Sequence, residues 1–339
     1  MRRLVLFIVV TAVVLGCFAA VTWWVDPLGE IWKPGALVTA ERDDCLISQE
    51  LIGTRYLSFK LAVFHDRPTR TFVVGSSRVL KIASHPHERS FANLGYPGTA
   101  PSTILKLVHT LPASPRQTMY VGVESFWFNR HYRVPDTNPS DYHLAEYLVS
   151  RSAFWNAFTF ARDVSYVRYP DRWRRTTVGR RCTIGRTYPS INWALDGSRV
   201  WSWELDPKHY QRFHATPYRG NLNAWRNGYY ADWETIDQAR VAQLERALAL
   251  ARSRGWRVVG FAPPEPASIV RILEADPRIA PRWRAFLRLM PQVFGRYHDR
   301  WIGPAVRCPA SAFPDLFHTD AACSLLVRDR LDLAARHAD

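Results

Sequence analysis

Apolar and polar positions follow three different periods along this chain. Residues 4–24, LVLFIVVTAVVLGCFAAVTWW, hold no charge and no proline. At 1.5 Å rise per residue, about 20 residues cross the hydrocarbon core of a bilayer. That stretch therefore predicts a membrane-crossing helix. Short apolar runs come next, at 71–75, within 91–98 (FANLGYPG), at 118–123 (TMYVGV) and in WRVVGFAPP. Each is rich in β-branched or aromatic residues and predicts a strand that ends in a loop. Helical spacing fills much of the rest. SQELIGTRYLSFKLAVF predicts a helix before the first strand, and a further helix is expected after Ser77. Residues 102–111, STILKLVHTL, predict another, capped by Ser102. Residues 234–253 predict the clearest one, with Val241, Leu244, Ala247, Leu248 and Ala251 on its apolar face and Gly255 as its stop.

Strands alternating with helices at these lengths predict an α/β fold, a doubly wound and mostly parallel sheet. The chain divides into an anchor at 1–25, a membrane-proximal linker and helix at 26–70, and an α/β domain at 71–335. An insertion at about 130–232 interrupts that domain. It is rich in Trp, Tyr and Arg, including Trp155, Trp173, Trp193, Trp201, Trp203, Trp225, Tyr229 and Tyr230. Such rings stack on sugars or fill a satellite core, and the core reading is favoured.

Flanks and composition refine this outline. Arg2 and Arg3 precede the apolar run, so an uncleaved anchor would keep its N-terminus in the cytoplasm and send the domain across. Trp23 and Trp24 suit an outer aromatic belt. A cleaved signal peptide is the competing reading, with Ala19 and Ala20 near a cleavage site. In 339 residues, 47% hydrophobic and 13% aromatic content supports a packed core and excludes a disordered chain. The formal charge is +15, carried mostly by arginine. Export argues against nucleic acid as its partner. Acidic glycans, anionic head groups or a plain solvated surface are the readings left open.

Export also changes what the cysteines mean. Cys17 falls in the anchor, and Cys45, Cys182, Cys308 and Cys323 would meet an oxidising compartment. Four cysteines allow three pairings. Cys308 with Cys323 is preferred because they flank one short segment, which leaves Cys45 with Cys182. No CxxC or HExxH signature occurs, and no metal or cofactor is implied.

Three blocks carry candidate chemistry. Gly75-Ser76-Ser77-Arg78 puts a serine at the end of a predicted buried strand, where open parallel sheets bind ligands. Asn93-Leu94-Gly95-Tyr96-Pro97-Gly98-Thr99 is a glycine-rich turn able to aim a backbone N–H at an oxyanion. Asp315-x-x-His318 offers an imidazole with a carboxylate to orient it. Arg78 and Asn93 are candidate substrate-binding residues.

The order of these blocks resembles the SGNH (GDSL-like) hydrolase superfamily. The resemblance implies a flavodoxin-like three-layer fold with Ser77 as nucleophile, His318 as base and Asp315 as its partner. It also implies an oxyanion site at the backbone of Ser77 and Gly98. The anchor, VDPLG and GSSR look like a membrane-anchored branch of that family. That branch includes relatives of alginate-type O-acetylation proteins and of the D-alanyl-transfer protein of teichoic acids. They work outside the membrane beside a membrane-bound O-acyltransferase. The family's Gly-x-Asn-Asp block is absent, and Gly122-Val123-Glu124-Ser125 stands there instead. Ser125 or Asn129 are candidates for the missing donor. The expected function is an extracytoplasmic serine acyltransferase or esterase acting on a cell-surface polysaccharide. The alternative is a catalytically degenerate glycan-binding or partner subunit of such a system.

Overall fold

The computed structural model describes residues 2–25, 46–48, 57–133, 148, 191–201 and 222–336, with short gaps inside these ranges. The described elements begin with α1 (Arg2–Val25), β1 (Leu46–Ser48), β2 (Thr71–Val74) and β3 (Phe91–Asn93). Next come α2 (Pro101–Thr110), β4 (Thr118–Gly122), β5 (Ile191–Ala194), β6 (Arg199–Trp201) and α3 (Leu222–Tyr229). The last are α4 (Gln238–Ser253), β7 (Arg257–Ala262), α5 (Ala267–Ala275), α6 (Ala280–Gly295), β8 (Arg300–Pro304) and α7 (Ala321–Arg336). Cys45, Cys182 and most of the aromatic insertion lie outside the described residues, as do the side chains of Trp201 and Trp225.

Helix α1 carries a window of mean hydropathy 3.0, none of it buried against the rest of the chain. It is long and apolar enough to cross a membrane. A signal sequence near an N-terminus shares both properties.

Five strands form the central sheet in the order β3-β2-β4-β7-β8. Every pairing in it is parallel. Counted along the sheet's own strands the order is 2-1-3-4-5, the flavodoxin-like arrangement of a doubly wound fold. Direction reverses between β2 and β4, so the switch point lies at their carboxyl ends.

Side chains alternate across this sheet, as strand geometry requires. Phe72, Val74, Met119, Val121 and Val258 join one core with residues of α2, α4, α5 and α6. Val73, Tyr120, Val259 and Phe261 join the other with Val327, Leu331, Ala334 and Ala335 of α7. The apolar face expected of α4 is the face it buries.

Several boundaries differ from the sequence reading. Helix α4 starts at Gln238 rather than 234, because the Asp237 side chain accepts from the N–H groups of Ala239 and Arg240. Helix α2 starts at Pro101, whose fixed φ suits a first helical position, so Ser102 is not its cap. The helix expected after Ser77 is one 3-10 turn, Ser77–Val79. Its carbonyls are diverted elsewhere. Asn93 Nδ2 donates to Val79 O and Ile82 O, and Arg199 N donates to Leu80 O. Strand β8 gave no pattern to read; it is an edge strand of partly exposed residues ending in Gly303 and Pro304.

A smaller antiparallel sheet, β1-β5-β6, uses residues from the linker and the insertion. Asp196 O accepts from Asn93 N at 2.5 Å, docking its hairpin beside β3. Trp193 is 1% exposed, under the Lys60 ammonium, and Tyr230 is 3% exposed in the main core. At these two positions the aromatic block fills core.

Candidate active site

The turn after β2 sits down on the sheet end because three glycines leave room for Val79. A Cβ added at Gly75, Gly95 or Gly122 would come within 2.9, 2.5 or 2.5 Å of a Val79 methyl. These glycines close the carboxyl ends of β2, β3 and β4. The seated turn buries everything from Phe72 to Ile82 except Ser77. The two adjacent serines thus divide the work the sequence left undivided. Ser76 is the cap: its Oγ accepts from Arg78 N at 3.2 Å and donates to Glu124 Oε1 at 2.5 Å. Ser77 is left facing the cleft.

Ser77 Oγ lies 3.0 Å from His318 Nε2. His318 Nδ1 lies 2.7 Å from Asp315 Oδ2. A carboxylate only accepts, so Nδ1 carries the proton and Nε2 presents its lone pair to the serine hydroxyl. The Asp315-x-x-His318 spacing folds this way because Asp315 Oδ1 accepts from Phe317 N and His318 N, both at 2.7 Å. One oxygen shapes the turn and the other holds the ring. The imidazole keeps 16% of its surface exposed. Burial lowers its pKa below the ordinary 6.5; the Asp315 hydrogen bond opposes this, and the Arg199 and Arg78 cations reinforce it. Burial alone would raise Asp315, but hydrogen bonds from His318 and Phe317 hold its carboxyl below the usual 3.8.

The glycine block continues the ladder, with Leu94 N donating to Val73 O and Tyr96 N to Gly75 O, both at 2.8 Å. It then turns at Pro97-Gly98, closed by Thr99 N to Tyr96 O at 3.0 Å. Gly98 has φ +83°, the conformation a type II turn requires at that corner. Its loop begins beside Gly75, next to Ser77.

Four other sequence candidates have their polar groups engaged inside the fold. Asn129 Nδ2 donates to Tyr229 O and Ala231 O, so its amide is not an oxyanion donor here. Ser125 Oγ is 2.7 Å from the Tyr230 hydroxyl and is buried. Asn93 is fully buried, and both its amide hydrogens go to Val79 O and Ile82 O. Its Oδ1 accepts from Gly95 N and from Lys60 Nζ. It ties the turn that bears Ser77 to the glycine block. Arg78 is 7% exposed and bonded to Glu124, Glu265 and three carbonyls, so it too is internal.

Glu124 and Glu265 are the site residues the sequence reading missed. Each directly follows a predicted strand, the position where this sheet type gathers function, and that was the available signal. Cys308 and Cys323 form the expected disulfide. Among the described residues no cluster of three metal-binding side chains occurs.

Substituting Gly122→Ala tests how the turn is seated. The new methyl would meet Val79 Cγ1 at 2.5 Å and Phe261 Cζ at 3.2 Å. Overpacking of this kind costs about 1–3 kcal/mol. Lifting Ser77 should add a rate loss of about 10-fold or more per folded molecule. Thermal unfolding and ester turnover, measured together, separate the two effects.

No family model matches the chain, and no curated protein matches it. It is similar to a solved structure whose description names a platelet activating factor from Streptococcus pneumonia. The identity is 8%, the TM-score 0.39, and the match covers 90% of this chain and 94% of that one. A likeness at that level carries neither fold nor function.

Proposed function

We propose that this chain is a serine esterase or O-acyltransferase, working outside the membrane on a cell-surface polysaccharide. One observation carries the reading: the only unburied residue between Phe72 and Ile82 is a serine bonded in series to an imidazole and a carboxylate. In the reaction Ser77 Oγ attacks an acyl carbonyl while His318 Nε2 takes the hydroxyl proton. The tetrahedral oxyanion is met by backbone N–H groups, those of Ser77 and Gly98 being the candidates. Collapse leaves the acyl group on Ser77 and returns the proton to the departing group. A sugar hydroxyl or water then attacks the acyl carbon as its proton passes to His318, and His318 returns that proton to Ser77 Oγ as the acyl–serine bond breaks. Asp315 holds the ring throughout and stabilises the imidazolium.

The orientation expected from Arg2 and Arg3, the Cys308–Cys323 bridge and the positive charge support an exported site that meets an acidic polymer. The resemblance to the anchored SGNH branch adds a membrane-bound O-acyltransferase as partner. Glu124 favours a second reading, a binding subunit without catalysis. A carboxylate occupies the block where the family has its asparagine donor, and losing one such donor costs about 3 kcal/mol of transition-state stabilisation.

Incubating the full chain in detergent with an activated acetyl ester decides between them. The first reading predicts acetate release, and acetylated sugar when an acidic oligosaccharide is added. The second predicts retention of the oligosaccharide with no acetate. The pH profile gives a further check. The His318 pKa is lowered, so its base form persists into mildly acidic solution. The fall in turnover caused by protonation of His318 should therefore come below pH 6.5.

A further inference from the structure

A buried, heavily bonded charge lies directly beside the candidate nucleophile. A guanidinium has five N–H groups, and all five of Arg78 have acceptors. Nε donates to Phe317 O at 3.2 Å. Nη1 donates to Glu124 Oε2 at 2.7 Å and to Glu265 Oε1 at 2.6 Å. Nη2 donates to Pro263 O at 3.3 Å and to Pro264 O. These partners come from three places: the end of β4, the loop after β7, and the loop that holds Asp315 and His318. Arg78 itself follows Ser77. One side chain therefore joins the nucleophile turn to the histidine loop, through the carbonyl of the residue just before His318.

We propose that Arg78 is the positioning residue of this site, its guanidinium gripping the Phe317 carbonyl and thereby fixing His318 against Ser77, with Glu124 and Glu265 aiming it. This rests on the reading of Ser77 as nucleophile. A saturated guanidinium leaves no N–H for substrate, so Arg78 acts through the loop and not by touching the reacting atoms. A lysine cannot replace it, because an ammonium has three donors and no planar fork. Its charge could still meet the two carboxylates, while the carbonyls of Phe317, Pro263 and Pro264 would lose their donors.

The cluster holds two carboxylates against one cation. Burial, together with the neighbouring Glu124, pushes Glu265 up to about 7 against the pull of Arg78. Glu265, in the loop after β7, is faced by Arg78 from the turn after β2, by Glu124 from the end of β4 and by the Tyr230 hydroxyl just past α3. Below about 7 it takes up a proton, and its bond to Arg78 is weakened by loss of the acceptor's negative charge. The aim of the guanidinium loosens with it.

The test follows covalent labelling of Ser77 by a fluorophosphonate probe, in full-length protein in detergent, from about pH 5 to pH 9. Unfolding curves correct each rate to the folded fraction. Arg78→Lys should label about 100-fold more slowly per folded molecule, the effect of a small misplacement of a reacting group. Glu265→Gln should match wild type near pH 5.5 and label about fivefold more slowly near pH 8, so its profile loses the step near pH 7. A merely structural role would change unfolding and leave folded-state rates and profile shape alone. Should Arg78→Lys fail to fold, the Glu265→Gln profile decides. Labelled wild type with unchanged variants overturns this inference alone. Wild type that does not label at Ser77 overturns the nucleophile reading, and this inference with it.

Discussion

Ester turnover should fall about 10⁴-fold when Ser77 is replaced by alanine, and by a similar factor in His318→Ala. The two side chains are successive links in one hydrogen-bonded series, with Oγ to Nε2 at 3.0 Å and Nδ1 to Asp315 at 2.7 Å. Groups that act as a unit do not contribute additively. The double variant should therefore be no slower than either single one. Asp315→Asn should also be slow, because an amide can present its NH₂ to Nδ1 and favour the wrong tautomer. None of these changes opens a core cavity, since Ser77, Asp315 and His318 are all partly exposed, so unfolding should shift little. Turnover in Ser77→Ala at the wild-type rate would sink the catalytic reading.

Removing the Cys308–Cys323 bridge should have the largest effect on stability. The two cysteines are 15 residues apart in sequence, and the segment they close contains both Asp315 and His318. A loop of that size is constrained by about 3 kcal/mol relative to the open chain. Besides the contacts of Phe317 and His318 with the rest of the site, the segment has local ties of its own. Its own apolar cluster is Ala312, Phe313 and Cys323, with Val306 and Cys308 packed against it. Two further bonds pin its far end: Asp320 N to Ala312 O at 2.7 Å, and Cys323 N to Asp320 Oδ1 at 2.8 Å. Replacing both cysteines by serine should lower the unfolding free energy, read from a denaturant titration, by that amount. It should also lower turnover more than the unfolded fraction explains, because the loop bearing His318 gains freedom. A reducing agent should reproduce both effects in wild type. Unchanged stability and turnover in the double variant would show that the bridge does not hold this loop.

Much of this site could be read from local sequence, and the reasons are physical. The strand at 71–74 ends where its β-branched run meets Gly75, and the Asp315-x-x-His318 pair closes within one turn. Both signals act over a few residues. The buried face of α4 was legible because its 3.6-residue period is unbroken from Val241 to Ala251. What escaped is long in range. Arg78 meets its partners 46, 187 and 239 positions away, and a place just after a strand does not tell that Glu124 and Glu265 would meet it. Asn93 looked like a ligand contact because a polar residue stood in a candidate block. Its four hydrogen bonds all close inside the fold. The single 3-10 turn after Ser77 was read as a helix because local propensity does not report that Asn93 and Arg199 capture its carbonyls. In the proposed reaction the Ser77 hydroxyl is therefore activated by His318 and not by a helix N-terminus.

Mass mapping of the adduct formed by a fluorophosphonate probe is the most direct test of that account. It predicts one modified peptide, bearing the adduct on Ser77 and not on Ser76, and no adduct in His318→Ala over the same time. An unmodified Ser77 in folded wild-type protein, or equal labelling with and without the imidazole, would contradict it.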